Sequence, residues 1–589
     1  MRGSSRSHPA AVVVVAAAVG LGSGGTATAQ DHTAARLREQ GGASLAQGNL
    51  SEALSAYQAA VALQPADALS HDAIGVILGQ RGELGGAIAA FRAAIHHDPT
   101  LAVARAHLGL ALERTNQPDE ALAAYKQALR LDPRLLEARF GLGSVCATIG
   151  DLDGAIAMLR HVVAAMPELA EARYNLGLHL WNRHTSQSAA RQASDLDAAV
   201  EELRTAARLA PAEAHVHAAL GRLLAERQAL DDAVAHLRRA RELRPDRPEH
   251  AYDLGLALRR TGDMDGAAAH LRAALAADPE HGLARRALGL VLRTTGDFEG
   301  AAAEFRAAVA ALPGDAQAHH LLGAALLKLG DTDGGLVSLR RAIELAPDLI
   351  EARVTLAQAL ARSGRSDEAR AQQAEVRRLN GARADAGRAM ILVESASERL
   401  RSGDAAAAVV QLREALALAP PSEEAHYLLA QAMRALAAEP SSIESTLRRV
   451  LQLNPRHAHA HYDLGVLQSG RDTDAAAASL RRAIELAPGM IPAHRAVIEL
   501  AEAREDWPAV ISSLEAIVAW EPQEARAHLK LGRALLRRRA WAEALVSLRM
   551  ATTLEPDLPD AHDALAEALE RSGATAGAAP LRRARERDK

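Results

Sequence analysis

The chain has little cysteine, few aromatic residues and no excess of basic charge, and each shortage removes a class of protein. Cys146 is the single cysteine in 589 residues, so no intramolecular disulfide can form and stability has to come from packing. Core burial is the expected place for that thiol. Four Phe, six Tyr and four Trp stand against an abundance of alanine and leucine. No run reads as a β-strand, and Gly, Pro and Asp recur as punctuation, which favours helices throughout. The formal charge is -5, and it falls close to -7 once Arg2 and Arg6 at the start of the chain are set aside. No basic domain is present to attract nucleic acid. With 49% hydrophobic and 24% charged residues, the chain can bury an extensive interior and is too apolar to be disordered.

Long apolar runs are scarce as well. The one at the start, Ala10 to Leu21, follows Arg2 and Arg6 and leads into Ala27-Thr28-Ala29. That is the layout of a secretory signal peptide over residues 1–29, cleaved after Ala29, so a periplasmic or secreted protein is expected. The run falls short of the roughly 20 apolar residues a membrane span needs, and no integral membrane segment is expected after cleavage. No cysteine follows it for lipid attachment, and Arg2 and Arg6 are not the adjacent pair of a twin-arginine signal.

What is there is a period. Prolines recur at Pro65, Pro99, Pro133 and Pro167, and again at Pro211, Pro245, Pro279, Pro313 and Pro347, with neighbours 34 residues apart in each group. Gly75, Gly109, Gly143 and Gly177 keep the same spacing, as do Gly221, Gly255, Gly289 and Gly323. The segment Ser338 to Pro347 repeats verbatim as Ser479 to Pro488. Taking residues 248–281 as one repeat, a first helix (A) is expected over about Glu249 to Arg260, closed by Thr261-Gly262. Asp263 then lies at or beside the cap of a second helix (B), over about Met264 to Ala277, which Pro279 stops. Gly255 and Ala267 occupy the same places in repeat after repeat, as small residues at a close helix crossing would. A glycine inside a helix costs about 1 kcal/mol against alanine, so its recurrence needs such a packing reason.

Small residues at positions 8, 20 and 27, large apolar ones at 7, 11 and 24 and proline at 32 give a pattern that resembles the tetratricopeptide repeat family. About sixteen repeats, counted from Ala34, cover essentially the whole mature chain. The resemblance implies an all-α fold, a right-handed superhelical solenoid of helix-turn-helix pairs whose A helices line a concave groove for protein or peptide partners. Two departures from the period stand out. The spacing from Pro167 to Pro211 places about ten extra residues near Arg183 to Gln192, expected as a protruding loop. From Pro347 to Pro420 the expected proline is replaced by Asn380-Gly381, which suggests a kink or a boundary. The expected organisation is therefore a first array over residues 30–383, of about ten repeats, and a second over 384–589, of about six. The charged tail Ala579 to Lys589 would cap the second.

Motifs that look chemical dissolve in this register. Asp151-Leu-Asp153-Gly154, Asp263-Met-Asp265-Gly266 and Asp331-Thr-Asp333-Gly334 resemble the opening of a calcium loop. Their glycine comes at position four rather than six and a helix starts at once, so they read as caps. His71, His217, His319, His426, His461, His494, His528 and His562 all fall at repeat position 4, where the family often carries an aromatic, and are expected to pack rather than to bind metal. No HExxH, GxSxG, P-loop or dinucleotide fingerprint is present, and the repeats leave no room for a catalytic domain. The expectation is a protein that is not an enzyme and uses no cofactor or metal.

By analogy with the family, positions 2, 5, 6, 9, 12 and 13 should face the groove. The candidate contacts are Tyr174, Asn175, Trp181 and Asn182 in repeat five, and Tyr252, Asp253, Arg259 and Arg260 in repeat seven. Repeat thirteen adds Tyr462 and Asp463, and repeat fifteen Lys530, Arg533 and Arg537. Asn175 is followed in repeat six by Ala218 and Ala219, so neither the family's carboxylate clamp nor its asparagine ladder is present. A non-catalytic binding scaffold of the bacterial envelope or secreted space is the leading expectation. An accessory to polysaccharide or envelope-polymer secretion is the alternative.

Overall fold

The computed structural model describes residues 29–186 and 189–572; residues 1–28 of the expected signal segment and the charged tail from Ala579 to Lys589 lie outside them. The described residues form thirty α-helices and no strand, arranged as successive antiparallel pairs.

Repeat seven shows why each pair forms. Pro248–Thr261 starts with proline, whose fixed φ suits the first turn and whose missing donor is not needed there. It ends at Gly262, which takes φ 91°, a left-handed conformation costly for any residue with a Cβ. Asp263 then caps Met264–Ala277, its carboxylate accepting a 2.8 Å hydrogen bond from the Gly266 N–H. Asp151 and Asp331 cap their helices in the same way, through Gly154 and Gly334. The calcium-like strings are therefore helix caps.

Between the two helices, a Cβ added to Gly255 would stand 2.8 Å from Cγ of Leu271, so glycine is what lets that leucine seat. Leu254, Leu258 and Leu271 join Val234 and Leu237 of the preceding repeat and Leu288 and Val291 of the next in one buried cluster. Each such side chain contributes about 1.5–3 kcal/mol, and only stacked neighbours can bury it. Cys146 lies in this kind of core, fully buried.

The contacts group the described residues into two compact bodies, one within residues 29–149 and 501–572 and the other within 150–500. Within the first, helix B of repeat three, Pro118–Leu131, packs against helix B of repeat fourteen, Trp507–Trp520. Arg130 pairs there with Glu515 and, at 3.5 Å, with Glu543. Most B helices bury one face, as Met264–Ala277 does through Ala267, Ala268, Leu271 and Ala274. Trp507–Trp520 also buries Ala516, Val518, Ala519 and Trp520, the extra apolar surface that a contact beyond its own repeat requires.

Within the second body, the residues added to repeat five extend its helices, to Ser186 and from Ala189, where a loop was expected; 187 and 188 lie outside the described residues. Arg183 fixes the base of this extension, with 2.8 and 2.7 Å bonds to Asp195 and one of 2.6 Å to Asp153. The segment around Asn380 is also helical. Asn380-Gly381 sits inside a single 36-residue helix, Ser366–Arg401, through which the expected partition at 383 and 384 passes. Its first part serves as helix B, packing Ala369 against Ile350–Arg362. Its last part serves as helix A, packing Ala389, Val393 and Ala396 against Ala405–Leu418. No residue between Ala369 and Ala389 is buried.

Candidate functional site

The histidines at position 4 pack as expected, His217, His494 and His528 being buried and His71 stacked on His97, and they share a hydrogen bond besides. In all eight, Nε2 lies within hydrogen-bond reach of the carbonyl of the proline six residues earlier, from 2.7 Å at His562 to 3.3 Å at His217. A carbonyl only accepts, so Nε2 carries the proton. Arg139, Arg173, Arg285 and Arg353 hold the same position and donate to Pro133, Pro167, Pro279 and Pro347. These side chains tie the end of one repeat to the start of the next. At His217 the consequence goes further: with Nε2–H on Pro211, its Nδ1 accepts from the Nδ1–H of His236 at 3.0 Å, and burial lowers both pKa values so that the pair stays neutral.

The candidate groove residues fall into four clusters along the A helices. In repeat five, Tyr174 meets the His215 ring edge to face at 4.7 Å, and burial raises its pKa. Trp181 donates to Glu226 at 2.8 Å, Asn175 is partly buried, and Asn182 is exposed. In repeat seven, Tyr252 stacks at a tilt on His281, centroids 5.0 Å apart. Asp253 lies 3.8 Å from Arg222, and burial pushes its pKa to about 6. Nε of Arg259 is buried, whereas Arg260 is exposed.

In repeat thirteen Asp463 is buried, accepting from the Tyr427 hydroxyl at 3.0 Å and from Arg434. Burial and the Asp463 charge raise the Tyr427 pKa, so the phenol stays protonated. Tyr462 is turned into the core against Ala483, Met490 and Ala493. Beside Asp463 opens a cavity of about 210 Å³ with Ala430, Ile443, Leu447 and Val466 in its wall and Arg434 at its edge. In repeat fifteen Lys530, Arg533 and Arg537 are exposed; Arg533 pairs with Asp560 at 3.1 Å and Arg537 lies 4.3 Å over the Trp507 ring.

The candidate contacts leave out Tyr427 and Arg434, although they stand at groove positions 5 and 12, and they leave out His281 and His457. Tyr427 stacks on His457 as Tyr252 does on His281, and both histidines cap the next A helix, accepting from Ala460 and Ala284. The signal was present: each tyrosine stands at position 5, with a histidine 29 or 30 residues on. Among the described residues no group of three His, Cys, Asp or Glu is placed to hold a metal ion, and no helix is long and apolar enough to cross a membrane.

A tetratricopeptide repeat model matches residues 38–102, 107–169, 188–248, 252–316, 444–491 and 498–559, and a second matches 316–349. The chain belongs to the tetratricopeptide repeat (TPR) family. The two TPR models together span more than half of it. A search of curated proteins returns no match. Among solved TPR-like structures, MamA from Desulfovibrio magneticus RS-1 is 26% identical over 28% of this chain and 94% of its own, with a TM-score of 0.27. YrrB, described as a TPR protein with an unusual peptide-binding site, is 24% identical over 33% of this chain and 95% of its own, with a TM-score of 0.29. Yeast Tom70 is 14% identical over 77% of this chain and 99% of its own, with a TM-score of 0.30.

Proposed function

We infer that this TPR protein is a non-catalytic scaffold that holds peptide segments of partner proteins against its A helices. The observation that carries the reading is the cavity beside Asp463. Its apolar wall has room for one aliphatic side chain, while Arg434, held at one edge by a buried carboxylate, keeps half of its surface in solvent to meet a peptide backbone or acid. Fixing the arginine in advance reduces the entropy lost on binding. The signal-like layout of residues 1–29 supports a place in the bacterial envelope or the secreted space.

A pull-down from the native host with the chain from Gln30 onward recovers specific partners on this reading. Recovery no better than with a charge-matched control protein sinks it. An N-terminus at Gln30 on protein taken from the envelope fraction or the medium tests the location separately, and intact Met1 in the cytoplasm refutes it.

A further inference from the structure

Although the chain is acidic as a whole, one helix is not. Ala525–Arg537 and the turn after it carry Arg526, Lys530, Arg533, Arg537, Arg538 and Arg539 with no acid among them. Arg526, Lys530, Arg533 and Arg537 follow one another at intervals of four, three and four residues, which puts them on a single stripe about 16 Å long. All four are exposed, while the leucines between them, Leu529, Leu535 and Leu536, are buried. The stripe therefore offers charge and almost no apolar surface.

We propose that this stripe docks an acidic peptide segment, about five extended residues long. The proposal rests on the scaffold reading above and names the partner chemistry of one face. Two observations on the helix favour it. Arg537 is stacked on Trp507, which orders a long side chain before any partner arrives. Arg533 already holds a carboxylate, that of Asp560, in a solvent-exposed pair weak enough to be exchanged. Arg526 and Lys530 make no ion pair among the described residues. A nucleic acid fits less well. The A helix of the next repeat, Pro559–Arg571, carries Asp560, Asp563, Glu567 and Glu570, which repel a long polyanion but leave room for a short acidic segment.

Fluorescence anisotropy on the purified protein, with labelled hexaglutamate, a Gly-Ser peptide of equal length and a single-stranded DNA oligonucleotide, tests this. Hexaglutamate should bind, with an affinity that falls as salt rises, and Gly-Ser should not. The double variant Arg526→Glu/Lys530→Glu should weaken binding about tenfold or more, with an unchanged circular dichroism spectrum. Asp560→Asn, which removes the competing carboxylate, should tighten it about two- to threefold. Hexaglutamate binding no better than Gly-Ser, an affinity untouched by the double reversal, or tighter binding of the DNA overturns the proposal. Partners without acidic segments recovered in the pull-down would leave the scaffold reading standing when this one fails.

Discussion

Two glycine-to-alanine changes in the same protein should have opposite signs. Inside a helix, alanine is favoured over glycine by about 1 kcal/mol, because glycine loses more backbone freedom on folding. Gly381 lies in the exposed middle of Ser366–Arg401, and a Cβ there meets nothing within 4 Å, so Gly381→Ala should keep the whole gain. Gly141 is different. Tyr125, 2% exposed, is wedged between Gly109 of its own repeat and Gly141 of the next. A Cβ on Gly141 would stand 2.5 Å from the Cε1 of that ring and nearer still to Cζ. The ring has nowhere to go, so overpacking costs about 1–3 kcal/mol. Moving it also breaks the hydroxyl bond to Glu113, worth about 1 kcal/mol. With the propensity gain set against these, Gly141→Ala should lose about 1–3 kcal/mol. Repeat arrays open locally, so native-state hydrogen exchange by mass spectrometry is the assay. Protection should fall in peptides from residues 102–165 for Gly141→Ala and rise in those from 366–401 for Gly381→Ala. Adding Tyr125→Leu should remove the penalty at Gly141, a coupling of about 2–4 kcal/mol. If Gly141→Ala behaves like Gly381→Ala, or if its penalty survives loss of the ring, the packing account is wrong.

The same contrast explains which parts of the fold could be read in the sequence. Gly255 and Leu271 form a local pair that recurs as Gly221 with Leu237 and Gly323 with Leu339, so the period shows them directly. Asn380-Gly381 looked like a stop because glycine and asparagine commonly end helices. What decides there is the absence of any neighbour to impose an end, between flanks rich in alanine, arginine and glutamate that favour continuing. The residues added to repeat five read as a loop because the period puts them in the turn between its helices, yet Ala189, Ala190 and Arg191 are good helix formers and Arg183 finds two carboxylates to pin the extension. The position 4 histidines pack as their register implies, and what the register does not show is their hydrogen bond. Their partner is a backbone carbonyl six residues back, and the clue is that arginine, not an aromatic, replaces them at Arg139, Arg173, Arg285 and Arg353. In the candidate site, the repeat register read by family analogy placed Lys530, Arg533 and Arg537 on one face, and all three are exposed there. Asp463 could not be recognised as a buried anchor, because the groups that cover it, Tyr427 and Arg434, stand 36 and 29 residues earlier.

Three further perturbations follow from these contacts. At His319, whose ring lies 3.2 Å from the Pro313 carbonyl, arginine should be tolerated, since Arg285 makes the same bond one repeat earlier; alanine should cost about 1 kcal/mol, read by hydrogen exchange across residues 298–328. Ala437 sits at φ 50°, in the turn where other repeats use glycine, so Ala437→Gly should raise the local stability of residues 423–453 by about 1 kcal/mol, and a loss would contradict the strain. Acid should destabilise repeat five. Burial lowers the His179 pKa from 6.5 to about 4, and its Nδ1 is buried without a hydrogen bond. Above pH 6.5 both the folded and unfolded states hold the ring neutral, and His179 contributes nothing to the pH dependence. Below it the unfolded chain takes up the proton first, so stability falls, by up to about 3 kcal/mol near pH 4, where the folded state also protonates. His217, His236, His250 and His528 shift in the same direction and add to the slope. Asp253 opposes it: with its pKa raised to about 6, the folded state keeps a proton that the unfolded state has lost, and stability there recovers as pH falls from 6 towards 4. The histidines outnumber it, so calorimetric unfolding should move to lower temperature between about pH 7 and pH 5. His179→Gln should flatten part of that fall, and an unchanged slope would mean that the buried ring is not what titrates.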